Sequence, residues 1–259
     1  MQGQPALRGG YFWAREAGGR VVRQSFFPVL TVVGVRLVIW YAAAVWLNAD
    51  WTYDKATRSG EVVTTTSLIQ DTWAQKKPKL PAPHQVAAEI WSTTVEKNIT
   101  SKRSLIYHSW VTLSATLLGF GLGTVLGTLL AVGIVFNRTM DMSVMPWVIA
   151  SQTIPILAIA PMIIVVLNAV GISGLLPKAM ISMYLSFFPA SMPYFFTSLK
   201  IAMAASLVGA IVGELPTGAV AGLGARLLAG SYYGQTIQIW SALIMAAALA
   251  ALLVGIIGL

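Results

Sequence analysis

The sequence predicts an all-α polytopic membrane protein with about six transmembrane helices. Three observations carry that prediction. Hydrophobic residues make up 56% of the 259-residue chain and charged residues only 10%, where a soluble domain carries about 25% charged residues. Mean hydropathy is +0.73. The apolar residues fall into several runs near the ~20 residues that one helical crossing needs, without the short alternating segments of an outer-membrane barrel. The chain has no cysteine, which excludes disulfides, thiolate metal sites and thiol catalysis. A net charge of +8 raises nucleic acid as a partner. Lys and Arg beside membrane spans account for it better, so membrane lipid is expected and no nucleic acid.

Residues 1–25 are polar and basic, with Arg8, Arg15, Arg20 and Arg23 ahead of the first apolar run. Positive charge before a span holds that end inside, so they read as a cytoplasmic N-terminal segment. Residues 26–48 form the first transmembrane helix. The run is too long for a signal-peptide core, and an uncleaved anchor is expected although Ala42-Ala43-Ala44 mimics a cleavage site. Arg36 interrupts it and either snorkels or pairs inside the bundle.

Residues 49–108 read as a periplasmic excursion with several aromatics and a proline-rich knuckle between Pro78 and Pro83. Its lysines oppose an external location, but long translocated loops obey the charge rule poorly. Val86, Ile90, Trp91 and Val95 recur at helical spacing. They mark either an amphipathic helix in the interface or a helix packed on the bundle.

Residues 109–259 read as a core of five transmembrane helices. The second span, 110–136, carries Gly119, Gly123 and Gly127 four apart, which lets backbones approach closely. The third, 144–168, combines Pro146, Pro155 and Pro161 with Ser151-Gln152-Thr153. Interior prolines free carbonyls that a neighbour, a hydroxyl or water must satisfy. Gln152 and Thr153 therefore line a conduit or glue neighbouring helices. The fourth span, 175–188, has Pro177 and Lys178 near its outer end. The fifth, 194–212, follows almost at once, and the last covers 235–259. Six spans from a cytoplasmic N-terminus return the C-terminus to the cytoplasm.

The chain turns on residues 198–227. An apolar helix breaks at Gly213, Glu214, Pro216, Gly218, Gly222 and Gly224. Irregular, charged backbone at membrane depth is tolerated where protein covers it or where it lines a wet cavity. The segment is either part of a pathway through the bundle or a periplasmic loop whose glycines only make turns. No Walker A loop, metal-ligand cluster or catalytic dyad is present, so no enzyme is expected. His84 and His108 stand alone, as surface or packing histidines do.

From about residue 107 onward the chain resembles the permease subunit of bacterial ABC importers, in the branch with nitrate, sulfonate, taurine and pyrimidine-type permeases. The resemblance rests on Ser151–Pro155 with Pro161, on Phe187-Phe188-Pro189, on the lead from Pro189 to Lys200, and on Gly213-Glu214-Leu215 with Gly222-Leu223-Gly224. It implies a type I importer permease in the inner membrane, working as a dimer, a homodimer by preference. Its partners would be two ABC ATPase subunits and a periplasmic solute-binding protein. No cofactor is expected in this chain, with ATP and Mg in the partner ATPase. Gln152, Thr153, Pro155, Ala210, Gly213 and Glu214 would line the pathway. Arg226, Tyr232 and Tyr233 would sit at the outer mouth or meet the binding protein, or the tyrosines would belong to an aromatic belt.

The family also carries an ATPase-docking loop between its fourth and fifth spans. Here Pro189 runs straight into Ala190, and Pro189, Ser191, Pro193 and Lys200 flank the expected loop. A deletion would leave a permease unable to receive the ATPase stroke. An omitted disordered segment, the favoured reading, would leave function intact. The competing classes are an ion-coupled secondary transporter, which needs a deep carboxylate such as Glu214, and a non-transporting scaffold.

Overall fold

The computed structural model describes residues 10–190, 195–216 and 220–258. Among them there is no strand. The chain divides into two compact units, Met1–Gln75 and Lys76–Leu259.

In the first unit α1 runs unbroken over Gly10–Ser59 (50 residues). Its apolar part, Phe27–Ser59, continues past the expected end of the first span. Arg36 is exposed on it. A short helix, α2 (Thr65–Ala74), folds back on α1. Lys55 Nζ lies 3.3 Å from Asp71 Oδ2, Tyr41 meets Trp73 edge to face at 5.0 Å, and Gln75 Nε2 donates to the carbonyl of Asn48 (3.1 Å).

The second unit begins with α3 (Pro83–Trp91) and a single π turn, Ser92–Glu96. Val86 is buried and Ile90 packs on Leu105, Leu223, Ala242 and Ala246, while Trp91 and Val95 are exposed. The segment expected between residues 85 and 95 thus packs on the bundle. Helix α4 (Leu105–Phe136) follows, then α5 (Arg138–Thr153), α6 (Ile156–Ala169), α7 (Leu175–Ala190), α8 (Phe195–Glu214), α9 (Leu223–Tyr232) and α10 (Thr236–Gly258).

Four helices among the described residues are long and apolar enough to cross a membrane: Phe27–Ser59, Leu105–Phe136, Thr197–Glu214 and Thr236–Gly258. They leave large apolar side chains uncovered, such as Val125 and Leu129 on α4 and Leu252 and Ile256 on α10. Lipid is the natural cover for such faces. The expected third span is not one helix. Ile154 is extended (ψ 123°) and Pro155 begins the next helix as its N-cap. Proline disfavours helical geometry in the residue before it, so 144–168 bends into an elbow between α5 and α6. Pro146 and Pro161 stay inside their helices.

Helices α4, α7 and α8 pack along a seam of small and hydroxyl residues. A Cβ added at Gly119 would overlap Ser182, and one at Gly123 would overlap Ser186. The Ser206 hydroxyl donates to the carbonyl of Thr116 (2.8 Å), Ser182 donates to the carbonyl of Ser206 (2.8 Å), and Ser186 donates to that of Gly119 (3.2 Å). The glycines bring the backbones close enough for these hydroxyls to cross between helices. On the other side of α7, Ile181 packs with Ala160 and Ile164 of α6.

Candidate functional site

One helix end meets another in the second unit. Glu214 closes α8, and α9 begins behind Gly222. The Glu214 side chain is fully buried. Its Oε2 accepts the backbone N–H of Gly224 (2.8 Å), and the Thr112 hydroxyl on α4 donates to the carboxylate (3.0 and 3.1 Å to its two oxygens). The same hydroxyl oxygen accepts the N–H of Leu223 (2.8 Å). Lys178 on α7 places Nζ 3.7 Å from Glu214 Oε1 and donates to the carbonyl of Ala221 (2.9 Å). The first N–H groups of a helix have no acceptor within it. A carboxylate placed there satisfies them and faces the favourable end of the helix dipole. Lys178 supplies the counter-charge that a buried carboxylate requires.

His108, one turn before Thr112 on α4, extends the knot. Its Nδ1 accepts the N–H of Gly222 (3.0 Å), and Nε2 lies 3.0 Å from the carbonyl of Lys102. A ring nitrogen that accepts is unprotonated, so Nε2 carries the hydrogen and donates it to that carbonyl. Gly222 has φ +127°, and a Cβ there would overlap the Glu214 carboxylate. Only glycine combines that backbone with that proximity.

Beside the knot lies a half-open cavity of about 520 Å³, walled by α3, the segment before α4, α9 and the start of α10. Lys97, Lys102, Arg103 and Arg226 line it, with Glu89 as its one carboxylate. Arg226 is buried. Its Nη2 bonds Glu89 Oε1 at 3.0 Å, and its Nη1 donates to the carbonyl of Arg103 (3.0 Å). Burial pushes the guanidinium below its ordinary pKa, and the facing Glu89 opposes that shift. Helix α9, at 10 residues, is too short to cross a membrane.

The structure brings part of the expected site together. Ala210, Gly213 and Glu214 lie on one buried stretch of α8, with Gly213 against Ile181 and Lys178. Pro155 is exposed at the elbow, and Gln152 and Thr153 are the last but one and last residues of α5. Their side chains lie outside what the structure describes. Tyr232 and Tyr233 are exposed, 80% and 68%. Pro189 lies next to last on α7, Lys200 is half-buried on α8, and Ser191 and Pro193 fall outside the described residues.

Sequence reasoning did not single out Thr112, left His108 as a lone histidine, and noted Lys178 only as an interruption. A signal for the first two is present. His108, Thr112 and Thr116 recur every four residues and continue the small face of Gly119, Gly123 and Gly127, all of them buried.

Comparison with known proteins agrees with this architecture. No family model matches the chain. The chain is 30% identical to the formylaminopyrimidine transport permease protein of Halalkalibacterium halodurans over 179 residues, 56% of this chain and 68% of that protein. It is 25% identical to a probable ABC transporter permease protein of Haemophilus influenzae, over 64% of this chain and 77% of that protein. It is 28% identical to the riboflavin transport system permease protein of Chloroflexus aurantiacus, over 57% and 65%. The 179 residues of the first match exceed 56% of 259, so that relative holds residues within the matched stretch that this chain lacks. A multi-pass helical chain with this likeness belongs to the ABC transporter permeases, the membrane-embedded subunits of ABC importers.

Proposed function

We propose that the chain is the transmembrane subunit of an ATP-driven importer of the bacterial inner membrane. It forms half of an alternating-access pathway for a small polar organic solute. The single observation that carries this is the match to the Halalkalibacterium halodurans permease over two thirds of that protein's length. The names of two relatives, for formylaminopyrimidine and riboflavin transport, support the solute class. A periplasmic binding protein would deliver the solute, and two ABC ATPase subunits would supply ATP and Mg. A second copy of the chain would complete the pathway. Gln152, Thr153, Pro155, Ala210, Gly213 and Glu214 remain the proposed lining. In this reading the chain binds no cofactor, and the two states that ATP must interconvert are packings of its helices.

One observation favours a second reading, an ion-coupled transporter: Glu214 is a fully buried carboxylate at the end of a span. It is already engaged by Lys178, Thr112 and Gly224, which suits a structural lock better than an ion carrier. Uptake in proteoliposomes separates the readings. Uptake that requires the ATPase, the binding protein and ATP is expected. Gradient-driven uptake without the ATPase, abolished by Glu214→Gln, would establish the second reading. No uptake with every partner present would leave a scaffold.

A further inference from the structure

We propose that the cavity beside the knot is an oxyanion site that takes a phosphate or carboxylate group. Four basic side chains and one carboxylate line it, so an excess of positive charge remains after Glu89 is paired with Arg226. Among the described residues, no carboxylate lies within ion-pair distance of Lys97, Lys102 or Arg103. Arg226 is 7% exposed and its Nε has no hydrogen-bond partner. That Nε is closed off from the cavity, so it is the three cations without an ion-pair partner, beside the Arg226–Glu89 pair, that make an arrangement an oxyanion completes. The side chains of Gln235 and Gln238 line the same space and offer neutral amide donors. A volume of about 520 Å³ falls within the range of small-molecule sites.

The walls are held in place by their own bonds. Arg226 is tied to Glu89 and to the carbonyl of Arg103, Gln238 Nε2 donates to the carbonyl of Arg226 (3.3 Å), and His108 fixes the carbonyl of Lys102. Arg226 is therefore fixed in the wall, and the backbone that carries Lys102 and Arg103 is fixed at the rim of the same space. Exposed Trp91 at the end of α3 and Tyr232 and Tyr233 at the end of α9 are side chains that favour the membrane–water boundary. The oxyanion can therefore come from a free solute or from an anionic lipid headgroup. The site does not depend on the direction of transport.

The test uses the full chain in nanodiscs of neutral phosphatidylcholine, titrated with inorganic phosphate and with phenyl phosphate by calorimetry. Saturable binding is expected, weakened at least tenfold in Lys102→Gln/Arg103→Gln and unchanged in Lys55→Gln/Arg58→Gln, which removes the same charge from the first unit. Both cations of the double variant are exposed, so folding is not at stake. In a second arm, nanodiscs containing phosphatidylglycerol are examined by native mass spectrometry. If the source is lipid, phosphatidylglycerol is retained, it competes with phosphate, and the double variant loses it. If the source is a solute, phosphate binds equally in both lipid compositions. Absence of both phosphate binding and lipid retention overturns the proposal, as does equal binding by wild type and the double variant. So does engagement that occurs only through an acidic partner protein.

Discussion

Glu214 does at the residue scale what the helix ends around it cannot do for themselves. It closes α8, where its charge opposes the helix dipole, and it is stabilised by the opposite pole of α9 and by Lys178. Glu214→Ala should cost about 3–5 kcal/mol, because it strands a buried ammonium together with the N–H of Gly224. Denaturant titration of the purified chain measures that loss, and Lys178→Met in the same background should recover part of it. Gly222→Ala should cost at least about 2 kcal/mol, since the side chain meets both a glycine-only backbone and the carboxylate; unfolding midpoints would show it. The sequence marked Glu214 and the glycines as a break in an apolar helix, which is a local signal. It could not pair Glu214 with Thr112, 102 positions away, because nothing local records which face of α4 meets α9. Gly119, Gly123 and Gly127 mark part of that face in the sequence but not its partner.

Helices were the legible layer. Apolar runs located α4, α8 and α10 to within a few residues, since burial in lipid leaves a long unbroken signature. The elbow was less legible. Three prolines lay in or at the start of the third apolar run, and composition alone does not say which one breaks it. The structure selects Pro155, where the Tyr184 hydroxyl of α7 donates to the carbonyl of Ser151 (2.6 Å) in the last turn of α5. A carbonyl satisfied from outside lets the helix stop there. Tyr184→Phe should loosen the elbow, read as faster backbone hydrogen exchange over residues 150–156 with the rest of the chain unchanged. On the seam, Gly123→Leu should cost about 1–3 kcal/mol by forcing α4 from α7. Ser182→Ala should cost only about 0.6 kcal/mol, the average for a hydrogen bond between membrane helices. Thermal unfolding in one detergent would rank the two.

At the scale of the whole molecule the relatives hold residues that this chain lacks within the matched stretch. The join of Pro189 to Ala190 is the place proposed for them. If the ATPase-docking loop is truly missing there, uptake should require a second, loop-bearing permease and fail with this chain alone beside its ATPase. Uptake with this chain as the sole permease would show that the stroke enters elsewhere. The hydroxyl-stitched seam sets a mechanical limit on any such cycle. Each serine is anchored to a particular carbonyl of the next helix, so slipping one helix past another by a turn would strand several hydroxyls in hydrocarbon at once. Helices α4, α7 and α8 should then travel as a single plate, with flexure concentrated at the bend between Ile154 and Pro155. Because the native chain has no thiols, paired cysteines can serve as unambiguous rulers. Ser182→Cys with Ser206→Cys, whose side chains touch across α7 and α8, should cross-link equally at every stage of turnover.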